Sequence, residues 1–133
     1  MDTRKLILVV DDEPSIRLTC SAILNMHGFR TEVAENGDKA LHMALELQPD
    51  VVLSDVIMPE MNGIQLAVAL QEVLPDVPVV LFSGNTETAD VLAGARAQGY
   101  SFRILAKPVG VQELVEAVHT AIASHPDAAA QAS

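Results

Sequence analysis

Short apolar runs alternate along the chain with stretches whose apolar residues recur every three or four positions. Residues 5–10 (KLILVV) form a continuous apolar run, the pattern of a strand buried on both faces of a parallel sheet. Pro14 suits the first turn of a helix, where its missing N–H leaves no bond unmade. Ile16, Cys20, Ile23 and Leu24 place one apolar stripe on that helix, and Gly28 supplies the stop. Residues 29–34 read as a second strand, with Phe29, Thr31 and Val33 on one face. Asn36 is a good N-cap for a helix that carries Ala40, Leu41, Ala44 and Leu45 on one side and ends before Pro49. A third strand follows at 51–54 (VVLS).

The second half repeats the unit. After a loop over 55–62, a helix over 63–73 turns Ile64, Ala67 and Leu70 inward, and Leu74-Pro75-Asp76 breaks it. Residues 78–82 (PVVLF) make a fourth strand, 86–98 an Ala-rich, weakly amphipathic fourth helix, and 102–106 (FRILA) a fifth strand. The fifth helix begins near Gly110, with Glu113 at its third position and Val111, Leu114, Val118 and Ile122 as its buried stripe. The segment 125–133 (HPDAAAQAS) has little to bury, and we expect a flexible C-terminal tail there. Five βα units of this length imply parallel strands joined by right-handed crossovers, with helices on both sheet faces. The expected fold is an α/β doubly wound sheet; an eight-stranded barrel needs about 250 residues.

Composition narrows the class. The chain has 133 residues, half of them hydrophobic, which suits one domain with a real core. Its eight Lys plus Arg against eighteen Asp plus Glu give a formal net charge of −10. That balance argues against nucleic acid as a direct partner, because phosphate binding needs clustered cations. No apolar run approaches the roughly 20 residues that a bilayer requires, and no secretory h-region is visible. The single Cys20 leaves no intramolecular disulfide framework, and the expected location is the cytoplasm.

The chemistry gathers at the strand ends, where open α/β sheets bind their ligands. Asp11, Asp12 and Glu13 follow the first strand, Asp55 the third, Ser83 the fourth and Lys107 the fifth. The second ends in Ala34-Glu35-Asn36, which adds no obvious chemistry. With strands one, three, four and five as neighbours, three aspartates, a hydroxyl and an ammonium share one crevice. Crowded carboxylates need protons or a cation. An all-oxygen donor set favours Mg²⁺, and no Cys or His stands at a zinc-like spacing. A carboxylate left free beside Mg²⁺ and a lysine is equipped to accept a phosphoryl group, whose charge those cations would neutralise. Each piece alone has a blander explanation: acidic residues as helix caps, Lys107 as a solvated lysine, Ser83-Gly84 as a turn. Cys20, on the apolar stripe, reads as a small buried hydrophobe.

Four stretches in this order, VVDDEPSIR, VLSDVIMPEMNG, VVLFSG and LAKPV, resemble a response-regulator receiver domain, and the resemblance covers about residues 5–123. It implies a flavodoxin-like sheet of order 2-1-3-4-5 with five helices, residues 1–124 forming the domain. Asp55 then matches the phospho-accepting aspartate. Mg²⁺ would be held by Asp12, Asp55 and the Ile57 backbone carbonyl, with Asp11 acting through metal-bound water. Ser83 matches the switch hydroxyl, Lys107 the phosphoryl-pairing lysine, and a cis bond is implied before Pro108. Ile57 and Asn85, two residues after Asp55 and Ser83, would modulate dephosphorylation. Ile104 stands where the family commonly has an aromatic residue, and Phe102 lies two positions earlier; between Gly99 and Lys107 the chain is one residue longer than the usual pattern.

The implied function is a signalling switch rather than an enzyme with an external substrate. A sensor histidine kinase or histidine phosphotransfer protein would phosphorylate it. A downstream protein would read the face made by the fourth helix, fifth strand and fifth helix. We expect no DNA-binding or catalytic domain within residues 125–133, so the output is either association alone or belongs to a longer protein. Two alternatives come from other classes. A haloacid-dehalogenase-like phosphatase combines similar groups but has its nucleophile after strand one in a D-x-D pattern, whereas here Asp11 and Asp12 are adjacent. A pseudo-receiver would have lost phosphorylation, against which stands the joint presence of Asp12, Asp55, Ser83 and Lys107. DDEPS offers no Gly-rich loop for a nucleotide.

Overall fold

A computed structural model describes residues 3–83, 93, 97, 99, 102–107 and 109–123. The elements run β1 (Leu6–Val10), α1 (Pro14–Met26), β2 (Arg30–Ala34), α2 (Gly37–Leu47), β3 (Val51–Asp55), α3 (Gly63–Val73), β4 (Val79–Ser83), β5 (Arg103–Ala106) and α4 (Val111–Ala123). All strand pairs are parallel, and the sheet order is β2-β1-β3-β4-β5. The doubly wound expectation therefore holds. Among the described residues there are four helices rather than five. The stretch 86–98 lies outside the described residues except for Ala93 and Ala97, which are helical. The tail at 125–133, Asn85 and Pro108 also lie outside them.

Strand alternation explains the two-sided core. In β1, Ile7 and Val9 face a cluster with Leu24 of α1 and Leu114 and Val118 of α4. Leu8 and Val10 face the other side, against Ala40 and Ala44 of α2 and Leu66 and Leu70 of α3. Because both faces are covered, every residue of β1 and of β3 is buried. A sheet covered in this way leaves its strand ends as the open crevice.

Two apolar assignments change. Leu45 and Val111 were expected inward but are 46% and 49% exposed. In α2 the seam is carried by Ala40 and Ala44, and Leu45, about 100° further round the helix, turns outward. In α4 the seam is Leu114, Ala117, Val118 and Ala121, which leaves the first helical residue, Val111, in solvent. Val33, on the edge strand β2, is also exposed. The other helix stripes stand as expected: Leu24 is buried with Ile16, Cys20 and Ile23 packed beside it, and Ile64, Ala67 and Leu70 are buried. No helix among the described residues is long and apolar enough to cross a membrane.

Candidate functional site

The sheet order sets the site. β1 lies beside β3, with Val10 opposite Ser54, so the residues that follow each strand's last pair meet at the same edge. One carboxylate oxygen from each of Asp11, Asp12 and Asp55 lies within 4.8 Å of the others. β3 pairs β4 through Asp55 and Phe82, and β4 pairs β5 through Ser83 and Ala106. The ladder runs one step further, as the Lys107 N–H donates to the Ser83 carbonyl at 2.9 Å. Lys107 is thereby placed so that its ammonium donates to Asp55 Oδ2, also at 2.9 Å.

Asp55 is only 5% exposed. Its Oδ1 accepts the Ile57 N–H at 3.2 Å, so both carboxylate oxygens are engaged. Ser54 Oγ donates to the Asp55 carbonyl at 2.9 Å. Asp11 is wholly buried. Its Oδ1 accepts the Glu13 N–H at 2.9 Å, and Arg17 Nη1 donates to its main-chain carbonyl at 2.8 Å. Asp11 Oδ2 is buried with no hydrogen-bond partner among the described residues. Burial, helped by the charges of Asp55 and Asp12, pushes the Asp11 carboxyl up to about 6 against the lowering effects of the Glu13 N–H and Lys107. Burial alone would lower the Lys107 ammonium, but the hydrogen bond and charge of Asp55, with the charges of Asp11 and Glu13, hold it above its ordinary value. The same ammonium sits 5.3 Å from the centre of the Phe82 ring.

These residues fit a divalent cation. The donor set is all oxygen, one buried oxygen lacks a partner, and a single lysine neutralises three carboxylates among the described groups at the site. Asp12 is exposed and opens the cluster to solvent. Ser83 is half-buried at the last position of β4, and Ile57 is 43% exposed beside the pocket. Ile104 and Phe102 share a side and both pack against Val56, Ile64 and Leu81 beneath the site. Asn85 and Pro108, also expected at the site, lie outside the described residues. Met58 is buried against α2 and α3.

Two residues escaped the sequence reading. Arg17 braces the Asp11 carbonyl, and Gly37 carries a tight contact to Met61. The only signal for Arg17 was a cation one turn into α1, close behind the acidic pair. For Gly37 there was none beyond a glycine following the Asn36 cap.

A family model described as the response regulator receiver domain matches residues 7–119. The chain belongs to this family. The receiver is 37% identical over 132 residues to the DNA-binding response regulator MtrA of Mycolicibacterium smegmatis, covering 98% of this chain and 57% of that protein. It is 36% identical to the Escherichia coli regulatory protein AtoC, over 81% of this chain and 23% of that one. Among solved structures, a Vibrio cholerae chemotaxis protein CheY4 superposes with a TM-score of 0.77 at 30% identity, covering 90% of this chain and 99% of that one. A receiver domain from Clostridium thermocellum gives 0.80 at 29%, covering 89% and 94%. The receiver thus spans about half the length of MtrA. The expectation that excluded nucleic acid as a direct partner finds no support here, since MtrA is named a DNA-binding regulator; net charge of this chain speaks only for the part it covers.

Proposed function

We propose that this receiver accepts a phosphoryl group on Asp55 from the phosphohistidine of a sensor histidine kinase or histidine phosphotransfer protein. One observation carries it: a nearly buried carboxylate that is paired to Lys107 at 2.9 Å and faces Asp11 and Asp12 across less than 4.8 Å. In the transfer an Asp55 carboxylate oxygen forms a bond to phosphorus as the phosphorus–nitrogen bond breaks, and its electron pair returns to the imidazole. The Ile57 N–H holds one carboxylate oxygen in place. Lys107 moves from the carboxylate to the incoming phosphoryl oxygens, and the Ser83 hydroxyl at the end of the neighbouring strand donates to them.

Asp12, Asp55 and the Ile57 carbonyl would hold Mg²⁺ directly and Asp11 through metal-bound water; when bound, the ion supplies charge neutralisation for the phosphoryl oxygens. Ile57 and Asn85 then control water access to the acyl phosphate. The receiver domain comprises residues 1–124 and works in the cytoplasm as a switch, turning over only its own phosphoryl group. Its output face includes β5 and α4; the fourth helix expected to complete that face, at 86–98, lies outside the described residues apart from Ala93 and Ala97. The nucleophile after β3 and the family membership weigh against a phosphatase. A second reading of the output follows from MtrA's name: the phosphorylated receiver would control DNA binding by a linked or partner domain.

Incubation with acetyl phosphate and Mg²⁺, followed by intact-mass and peptide mapping, tests the proposal. A single phosphoryl adduct on Asp55, absent in Asp55→Asn, is the expected result. No adduct, or steady hydrolysis of external phosphate esters, defeats it.

A further inference from the structure

Gly37 and Met61 approach so closely that any side chain at position 37 requires Met61 to give way. A Cβ built on Gly37 would lie 2.9 Å from Met61 Cγ, 2.9 Å from Sδ and 3.0 Å from Cβ. Gly37 opens α2 behind the Asn36 cap, whose side chain accepts the Lys39 N–H. Its φ is not positive; the positive-φ glycines among the described residues are Gly28 and Gly99. Alanine would therefore be conformationally acceptable at 37, and by helix propensity preferred. The glycine answers to the close approach of Met61.

That approach leads to the acceptor. Rotating the Met61 side chain can move Cγ and Sδ, but Cβ is bonded directly to the loop backbone, so relieving that contact takes a shift of a few tenths of an ångström in the loop or the helix. The next residue, Asn62, caps α3 in a reciprocal box: its Oδ1 accepts the Gln65 N–H at 2.8 Å, and Gln65 Oε1 accepts the Asn62 N–H at 2.9 Å. The box makes residues 62–65 one stiff unit. Gly63, within it, donates its N–H to the Val56 carbonyl at 2.8 Å and lies against the Asp55 carbonyl. A displacement of Met61 is thus handed through Asn62 and Gly63 to the backbone of Asp55 and Val56. The next residue on that stretch, Ile57, holds Asp55 Oδ1.

We infer that Gly37 and Met61 are a positioning pair for the acceptor carboxylate, through which the first turn of α2 sets the geometry of Asp55. The inference rests on the proposed role of Asp55 and names a means of regulating it: a partner that moves the start of α2 changes how readily Asp55 is phosphorylated. Neither residue touches the reacting atoms.

Four proteins test the pair: wild type, Gly37→Ala, Met61→Gly and the double variant. The readouts are melting temperature, the amide resonances of Ile57 and Gly63 without metal or phosphate, and the rate of adduct formation from acetyl phosphate with Mg²⁺. We expect Gly37→Ala to lower the melting temperature, shift both amides and slow the adduct roughly tenfold, a middling effect for residues coupled by direct contact. In the Met61→Gly background, which lacks the Cβ as well as Cγ and Sδ, the same change should cost little, and both amides should return toward their Met61→Gly positions. A Gly37→Ala protein that does not fold, beside a folded double variant, also supports the pair. An equal effect of Gly37→Ala with and without Met61, loss of folding in both, or a raised melting temperature with unmoved amides overturns it. Failure of wild type to form any adduct sinks the acceptor reading instead, and the metal-free amide shifts still decide the pair.

Discussion

Gly63 stands against the peptide of Asp55 so closely that a Cβ on it would lie 2.9 Å from the Asp55 carbonyl carbon and overlap its oxygen. The neighbouring atoms are backbone, so no side chain can yield. Gly63→Ala must push the start of α3 away from the end of β3, breaking the 2.8 Å bond from residue 63 to the Val56 carbonyl. Overpacking of this kind costs about 1–3 kcal/mol, often more where backbone must move. Urea denaturation should show that loss, and phosphoryl acceptance by the folded fraction should fall with it. A variant of unchanged stability would mean that α3 accommodates the methyl group.

Lys107 and a bound divalent cation would compete for the same negative charge. The ammonium is paired with Asp55 at 2.9 Å and is held above its ordinary pKa by the surrounding carboxylates. Lys107→Met removes the cation that partly neutralises three carboxylates. We expect a lower melting temperature without metal and a larger rise on adding Mg²⁺ than in wild type, because binding to the folded state stabilises it by mass action. Asp12→Ala should shrink the Mg²⁺ effect. Thermal denaturation across a Mg²⁺ titration checks both, and an unaltered Mg²⁺ increment in Lys107→Met contradicts the competition.

Asp11 gives the metal-free protein a defined pH dependence. Its carboxyl rises from 3.8 to about 6 on folding, chiefly through burial. Between those two values the folded state holds more of the proton than the unfolded chain does. Stability attributable to this group is therefore greatest below the lower value and falls as the pH rises through about 6. Asp11→Asn should flatten this segment of the stability profile and raise stability at pH 7 in the absence of Mg²⁺. Equal slopes for wild type and variant between pH 4 and pH 6, about the window set by the two values, would contradict the assignment.

The fold was legible because buried parallel strands are written as unbroken apolar runs. Leu6–Val10 and Val51–Asp55 are buried at every position, and the turn residues Pro14, Gly28 and Asn36 sit where helices begin or stop. The acidic pocket was legible for a similar reason: strand ends can be located to within a residue, and parallel order brings alternate ends together. Alanine seams were harder. Ala117 and Ala121 are buried although they carry little hydrophobic signal, while the larger Val111 is exposed. Close approach was invisible altogether. Nothing in the local pattern distinguishes Gly37, required by Met61, from a glycine that merely relaxes a turn; the two residues meet only after α2 and α3 have packed side by side.

Stability and acceptor geometry should separate at two helix ends. Gln48 closes α2 with a left-handed backbone, φ 49°, in which a β-carbon is strained and its N–H bonds the Ala44 carbonyl at 2.8 Å. Gln48→Gly keeps that bond and removes the strain, so we expect a gain of about 1 kcal/mol. Asn62 opens α3 with two reciprocal bonds, and Asn62→Ala removes the side-chain half of that box at a cost of about 1 kcal/mol. The two changes are similar in size and opposite in sign, but only Asn62 lies between Met61 and Gly63 on the loop that leaves Asp55. Gln48→Gly should leave the rate of adduct formation unchanged, whereas Asn62→Ala should slow it by more than its loss of stability explains at temperatures well below melting. Rates measured on both variants, normalised to the folded fraction, settle the point. If both track stability alone, the box at Asn62 is a cap and nothing more, and the acceptor loop takes its shape from β3 and Gly63.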